Sequence, residues 1–165
     1  YAIGDVNGGP QLAHAAHSQG LIAAEHALGH RTRPNETLVP GVIFTTPEVA
    51  VVGLTEAEAE RRKIPVRAGK FHFAALGRAL AAGQSGGFVK WIADPETDRL
   101  LGATAVGAHA TDLISEAALA IRHELTAAEV GRTIHPHPTF GEIWMEAAHA
   151  VHGECIHAPP SRRRS

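Results

Sequence analysis

The segment Thr133-Ile134-His135-Pro136-His137-Pro138-Thr139-Phe140-Gly141-Glu142 carries the strongest chemical signal in the sequence. Its two prolines stiffen the backbone around His137 and keep it out of a helix. A histidine held rigidly ahead of a helix suits proton transfer, because its unperturbed pKa lies near neutrality. Glu142, five residues on, could bond the far ring nitrogen, fixing the tautomer and supporting the cation. That arrangement is a base with its orienting acid, the second and third members of a nucleophile–base–acid triad without the nucleophile. A second reading stands beside it. Thr-x-x-Glu also occurs at Thr55–Glu58 and Thr126–Glu129, each at an expected helix start, so Glu142 could simply cap the helix that Thr139 opens. His135 is expected to be structural or solvent-facing.

Other side chains carry weaker signals. His14-x-x-His17, His149-x-x-His152 and His135-x-His137 invite a metal reading, but zinc sites usually need three or four ligands with a carboxylate or thiolate partner. No HExxH motif is present, so scattered surface histidines are the better account and no metal is expected. Gly4-Asp5 could end a strand with a carboxylate that accepts from a ribose-like hydroxyl, or it could be an ordinary turn. Pro10 suits the first turn of a helix and leaves free N–H groups nearby. The Gly83–Gly87 stretch lacks the Lys-Ser/Thr of a phosphate loop and reads as a turn. Cys155 has no partner and is expected to be inert.

These groups need a scaffold, and composition bounds it. The chain has 165 residues, enough for one core of ordinary size. Lys plus Arg is 15 and Asp plus Glu is 17, a balance that argues against nucleic-acid or membrane-surface binding. Apolar runs are too short for a transmembrane helix. A single cysteine excludes an internal disulfide framework and a CxxC zinc site. The opening lacks a basic segment followed by an apolar one, so a cytoplasmic location is expected. The first residue is Tyr1 rather than Met, which suggests an internal or C-terminal piece of a longer protein.

Periodicity supplies the elements. Residues 1–5 read as the end of a buried strand, and 11–28 as an Ala-rich helix with Leu12, Ala16, Ala23 and Ala27 on one face. The polar stretch 30–40, with two prolines, reads as a linker. Residues 42–44, 49–54, 66–73, 88–93 and 99–106 read as strands, the last two joined by a hairpin at 94–98. Helices are expected at 55–62, at 110–124 with Leu113, Ala117 and Ile121 aligned, from Thr126, and from Thr139 with Ile143, Ala147 and Val151 aligned. Residues 74–83 read as a loop with helical character. Strands first and helices later imply an α+β fold, an antiparallel sheet with helices packed on one face.

The ordered motifs resemble the pyridine-nucleotide disulfide oxidoreductase family. Residues 1–6 and 11–15 look like its last flavin-contacting segment. Phe44-Thr45-Thr46-Pro47-Glu48-Val49-Ala50 and Val52-Gly53-Leu54-Thr55 look like the opening of its dimerisation domain. Arg78-Ala79, Gly87-Phe88-Val89-Lys90, Leu101-Gly102 and 114–121 continue the match, and His137-Pro138-Thr139 with Glu142 is similar to its C-terminal catalytic motif. The likeness runs to about His157 and is strongest to the lipoamide-oxidising branch. It implies a remnant of the FAD-binding domain over residues 1–40, a dimerisation domain over 41–158 and a disordered basic tail over 159–165. It implies FAD bound through Asp5, Leu12, Ala13 and His14, with Asp5 on the ribityl chain. It also implies His137 as general base and Glu142 as its orienting acid, serving the active site of the other subunit of a homodimer. NAD and the lipoyl group of a 2-oxo acid dehydrogenase or glycine cleavage complex would be the parent's partners. The Gly-rich FAD loop, the redox-active cysteine pair and the NAD domain are absent, so the chain alone is expected to be inactive.

Two further classes remain at this stage, besides a glutathione-reductase-like parent. One is a non-enzymatic dimerisation module, with contacts on the helix face near Ile143, Trp144 and Ala147. The other is a His-rich metal binder. Residues 1–10 are expected to be disordered or to pack on another copy.

Overall fold

The computed structural model describes residues 1–32 and 38–158. The expected tail, 159–165, and the middle of the linker lie outside the described residues. Strands β1 (Gly41–Ile43), β2 (Glu48–Gly53), β3 (Arg67–His72), β4 (Gly87–Ala93) and β5 (Leu100–Gly107) form one antiparallel sheet in the order β1-β2-β5-β4-β3. Helices α1 (Ala13–Ala27), α2 (Glu56–Arg62), α3 (Gly77–Ala81), α4 (Ala110–Arg122), α5 (Ala127–Arg132) and α6 (Glu142–His152) complete an α+β architecture. Helix α4 lies on β5 and β2, and α6 lies on β3 and β4.

The pleat sorts the strand residues. Ala50 faces Ala105, Ala105 faces Val89 and Val89 faces Phe71, a row that is almost wholly buried. The alternate row, Val49, Val106, Phe88 and His72, is half-buried or exposed. The inner row meets Ile143, Ala147 and Val151 of α6, the row expected of that helix, and Ala110, Ile114 and Ala117 of α4. The buried face of α4 is thus turned from the expected Leu113–Ala117–Ile121 row, of which Leu113 and Ile121 are only half-buried.

Helix α6 lies unusually close to the sheet. A Cβ built on Gly69 of β3 would stand 2.3 Å from the Ala147 carbonyl oxygen and 2.4 Å from the Val151 nitrogen. Backbone occupies that space, so only glycine fits. Two tryptophans fix the helix in the plane of the sheet. Trp91 Nε1–H donates to the Trp144 carbonyl (3.0 Å), and Trp144 Nε1–H donates to the Leu113 carbonyl on α4 (2.9 Å). Their rings sit 4.7 Å apart. Each buried indole N–H thus finds an acceptor, as burial requires.

Several expectations need correction. Residues 1–5 form no strand. A 3-10 turn spans Gly4–Asn7, and Gln19 of α1 holds it, accepting from Gly4 N–H (2.6 Å) and Asn7 Nδ2–H (3.0 Å). A strand needs a neighbouring ladder, and here the side chain of α1 satisfies the backbone instead. This opening segment is therefore folded onto α1 within the chain. Pro10 precedes α1 rather than lying in its first turn, and the buried positions of that helix are Ala15 and Gln19, not the predicted stripe. Ile143, Trp144 and Ala147 are fully buried inside the chain and offer no contact face to a second copy. The 74–83 stretch resolves into a 3-10 turn at Phe73–Ala75 followed by α3.

Gly69→Ala is expected to destabilise the fold by roughly 2–3 kcal/mol, the range of an overpacked core site. Urea denaturation measures it, and an unchanged midpoint would contradict the close approach of α6.

Candidate active site

The loop between α5 and α6 carries the two histidines, and its anchors differ on each side. Thr126 opens α5 with a full capping box: its Oγ1 accepts from Glu129 N–H (3.2 Å), and Glu129 Oε2 accepts from Thr126 N–H (2.7 Å). Thr139 does not repeat this. Its N–H donates to Glu142 Oε2 (2.7 Å), but its hydroxyl donates to the Pro136 carbonyl (2.7 Å), and Gly141 is the N-cap residue of α6. Thr139 is therefore not the start of that helix. Half of the box forms, and the other Glu142 oxygen is left for a different partner. Phe140 secures the loop against Phe73 and His109, with ring centroids 6.1 and 4.7 Å away.

The partner of the free oxygen is His137. Its Nδ1 lies 2.7 Å from Glu142 Oε1. A carboxylate only accepts, so Nδ1 carries the proton and Nε2 is left with its lone pair in the neutral ring. The His137 side chain is 71 % exposed and that of Glu142 is 10 % exposed. Burial by itself pushes the Glu142 carboxyl upward. The Thr139 N–H and the His137 ring more than offset this, and the carboxyl lies below its ordinary value. It is thus an anion at neutral pH, able to stabilise an imidazolium. Glu142 thus does not cap α6: its two oxygens hold the Thr139 N–H and the His137 ring of the loop before the helix.

His135 has the opposite character. Its Nδ1 lies 2.9 Å from the Thr133 carbonyl and its Nε2 lies 2.8 Å from Glu116 Oε1 on α4. Both partners are acceptors, so both nitrogens carry protons. The Glu116 hydrogen bond raises the pKa of this largely buried ring against the effect of burial. His135 has no nitrogen free to take a proton. It pins the loop to α4, the structural role of the two open to it.

The residues expected at a flavin sit elsewhere. Asp5 is exposed on the 3-10 turn, Leu12 is half-buried ahead of α1, and Ala13 and His14 are exposed in its first turn. Helix α1 starts without a side-chain cap, so its first N–H groups are not taken by one, in contrast to the Thr-capped α2 and α5. His14 Nε2 lies 2.7 Å from the Pro40 carbonyl. His14 and His137 line different cavities, and no bond among the described residues joins the two groups. A larger hollow of about 490 Å³ beside Thr46, Glu48 and His109 carries no proton-transfer pair. Its carboxylate, Glu48, is committed to the N–H and hydroxyl of Thr111, which tie β2 to α4.

Sequence reasoning missed one group on the His137 cavity. Glu146, on the next turn of α6, is 1 % exposed, and its Oε1 lies 2.6 Å from His157 Nδ1. Glu146 stands four residues after Glu142, a spacing that marks one helix face, and this was the signal available. Cys155 lies nearby, its thiol pushed up first by burial and then by the Glu146 charge, which keeps it protonated.

Residues 39–148 match the model of the pyridine nucleotide-disulphide oxidoreductase dimerisation domain. The chain is 54 % identical over 158 residues to a dihydrolipoyl dehydrogenase of Bacillus subtilis, covering 95 % of this chain and 33 % of that protein. It is 47 % identical over 163 residues to one of Chlamydia trachomatis, covering 99 % of this chain and 35 % of that protein. It therefore spans about a third of the length of these relatives. Among solved structures it is similar to LpdA from Mycobacterium tuberculosis, with a TM-score of 0.85 at 32 % identity over 90 % of this chain and 32 % of that one. It is also similar to the HOCl-induced flavoprotein disulfide reductase RclA from Escherichia coli, with a TM-score of 0.82 at 25 % identity over 92 % of this chain and 35 % of that one.

The raised pKa of His135 fixes the sign of a pH effect. Its contribution to stability is fully present below the unfolded value, about 6.5, and is lost as pH rises through the higher folded value. The gap in Tm between wild type and Glu116→Gln is expected to be widest near pH 6 and to close above neutrality. A gap independent of pH from 6 to 9 would refute the ionic role of His135.

Proposed function

We propose a function from one premise: the chain belongs to the family of pyridine nucleotide-disulphide oxidoreductase dimerisation domains. It supplies the acid–base half of a dithiol oxidation, dihydrolipoamide plus NAD⁺ giving lipoamide, NADH and a proton, within a longer FAD-dependent polypeptide that works as a homodimer. The observation that carries this reading is the His137–Glu142 pair, with a buried anion behind a ring whose second nitrogen is free.

The chemistry at His137 follows from that placement. Nε2 takes a proton from a thiol of dihydrolipoamide, which makes the thiolate, the nucleophilic form of sulfur. Glu142 keeps the proton on Nδ1, so that Nε2 faces the substrate, and it stabilises the imidazolium that forms. Glu142 stays ionised throughout. His137 then releases the proton to solvent, the one proton that the overall reaction sets free.

The opening segment fits a flavin. The Asp5 carboxylate is exposed with no partner among the described residues, which suits the hydroxyls of a ribityl chain. The uncapped start of α1 offers the N–H groups of Ala13 and His14 to a ring carbonyl, while Leu12, whose N–H donates to the Pro10 carbonyl (2.9 Å), would flank the ring with its side chain. FAD, when bound, supplies the two-electron relay between dithiol and NAD. Cys155 is the only cysteine, so this chain holds no dithiol to accept electrons and is inactive by itself. The electron donor in the cell is the reduced, dihydrolipoyl form of the lipoyl group of a 2-oxo acid dehydrogenase or glycine cleavage complex.

In a complete enzyme that carries this chain, His137→Gln is expected to lower kcat by about 100-fold or more, the range of a lost general base. Glu142→Gln is expected to lower it less, with flavin absorbance intact in both variants. Stopped-flow reduction by dihydrolipoamide measures the step, and near-normal turnover of His137→Gln would overturn the assignment.

A further inference from the structure

Helix α6 ends in a reversal of the chain. Gly153 takes φ +76° and its N–H donates to the Ala150 carbonyl (3.1 Å), while Glu154 N–H donates to the His149 carbonyl (2.9 Å). This pair of bonds is a Schellman closure, whose left-handed position favours glycine. The residues that follow lie against the helix at Glu146. There the buried carboxylate is fully engaged. Oε2 accepts from Ile156 N–H (3.0 Å) and His157 N–H (3.3 Å), and Oε1 accepts from His157 Nδ1–H. The Cys155 thiol reaches the Glu146 carbonyl oxygen at 3.5 Å. A carboxylate this deeply buried is costly without donors, and the turned-back segment supplies three.

This clasp bears on the site. His137, Glu142, Glu146 and His157 line one cavity of about 200 Å³, with Leu76 and Leu80 among its apolar residues. Glu142 and Glu146 stand one helical turn apart, so two carboxylate–imidazole pairs lie along one face of α6. The cavity thus has two polar pairs and an apolar lining, a shape that suits a short aliphatic chain ending in thiols.

Building on the reading of His137 as the acid–base residue, we propose that Glu146 and His157 are positioning residues: Glu146 clamps the segment 155–157 so that His157 forms a wall of the cavity that receives the carbon chain of the dithiol substrate. The wall orients the substrate toward His137 Nε2, and His157 transfers no proton in the reaction. Loss of the clamp is then a loss of placement, felt in binding before chemistry.

Two measurements test this, one of them independent of activity. In the full chain, Glu146→Gln is expected to speed amide exchange at Ile156 and His157 by about tenfold or more, read by NMR. Unchanged exchange would remove the clamp. His157→Ala, at an exposed site, gives the same readout at Ile156 if Glu146→Gln does not fold. In a complete enzyme carrying this chain, His157→Ala is expected to raise KM for dihydrolipoamide about tenfold while kcat stays within about twofold. His157→Asn, which can still donate to Glu146, is expected to keep KM near wild type. An unchanged KM in His157→Ala would overturn the bearing on substrate, and an Asn variant as poor as Ala would show that Nε2 itself is needed. Full turnover by His137→Gln would sink the base reading alone, leaving the exchange and KM results to judge the clamp.

Discussion

At Gly69 the backbone of α6 touches the backbone of β3, with no room between them for a methyl group. The rest of the site inherits its geometry from that contact. Once the helix is this close, its rotation is set by Trp144, whose ring lies by Trp91 and whose indole N–H reaches α4. Rotation then decides which residues of α6 face the cavity beside α3. They are Glu142 and Glu146, two carboxylates in a largely apolar setting. A buried anion demands donors, and each one has drawn in a flanking segment to provide them. Glu142 gathers the loop before the helix through Thr139 and His137. Glu146 gathers the chain after it through Ile156 and His157. The packing of one helix thus organises both of its ends.

His135 and His137 are the same residue type two positions apart, and geometry gives them opposite duties. The difference is the number of free ring nitrogens. His135 has acceptors on both, one of them the carboxylate of Glu116, so it is held as a cation that braces the loop against α4. His137 has an acceptor on one nitrogen and solvent at the other. A base needs a lone pair that can reach its substrate, so only the second arrangement can take a proton. The proposed base depends on the brace, because an unbraced loop would not hold His137 in line with Glu142.

Much of this was legible in the sequence, and the gaps have physical causes. Periodicity located all five strands and the inner face of α6, because alternation and 3.6-residue spacing report burial directly. In the Ala-rich α4 it caught Ala117 but placed the face around Leu113 and Ile121, because small buried alanines weigh less in such a pattern than larger half-buried residues. It did not report what covers a buried face. For that reason Ile143, Trp144 and Ala147 could be read as a contact for another copy, although the sheet of the same chain covers them. The motif Thr-x-x-Glu gave three outcomes from one pattern. At Thr126 both halves of the box form. At Thr55 only the hydroxyl caps, while Glu58 pairs with Arg61 and Arg62. At Thr139 only the carboxylate side forms, because Pro136 takes the hydroxyl. Local sequence specifies which bonds are available, and the neighbours that compete for them decide which are made. The Glu146–His157 pair was invisible for a related reason: its partners are eleven residues apart and meet only because Gly153 turns the chain back.

The burial of the His137–Glu142 pair is lopsided, and this bears on how the proposed acid–base site can work. Glu142 sits in a protein environment, whereas the reactive side of His137 stands in water. An imidazole in bulk solvent gains little from its surroundings, because water screens the charge that develops during proton transfer. Efficient transfer requires that something exclude that water while leaving Nε2 in reach of the thiol. The residues proposed to face a flavin do not provide the cover, since His14 and His137 open onto separate cavities. On the proposed reading the missing wall belongs to a second copy of the enzyme. The domain then presents a finished base on an unfinished surface, and assembly of the dimer becomes the step that turns a solvent-exposed histidine into a catalytic one.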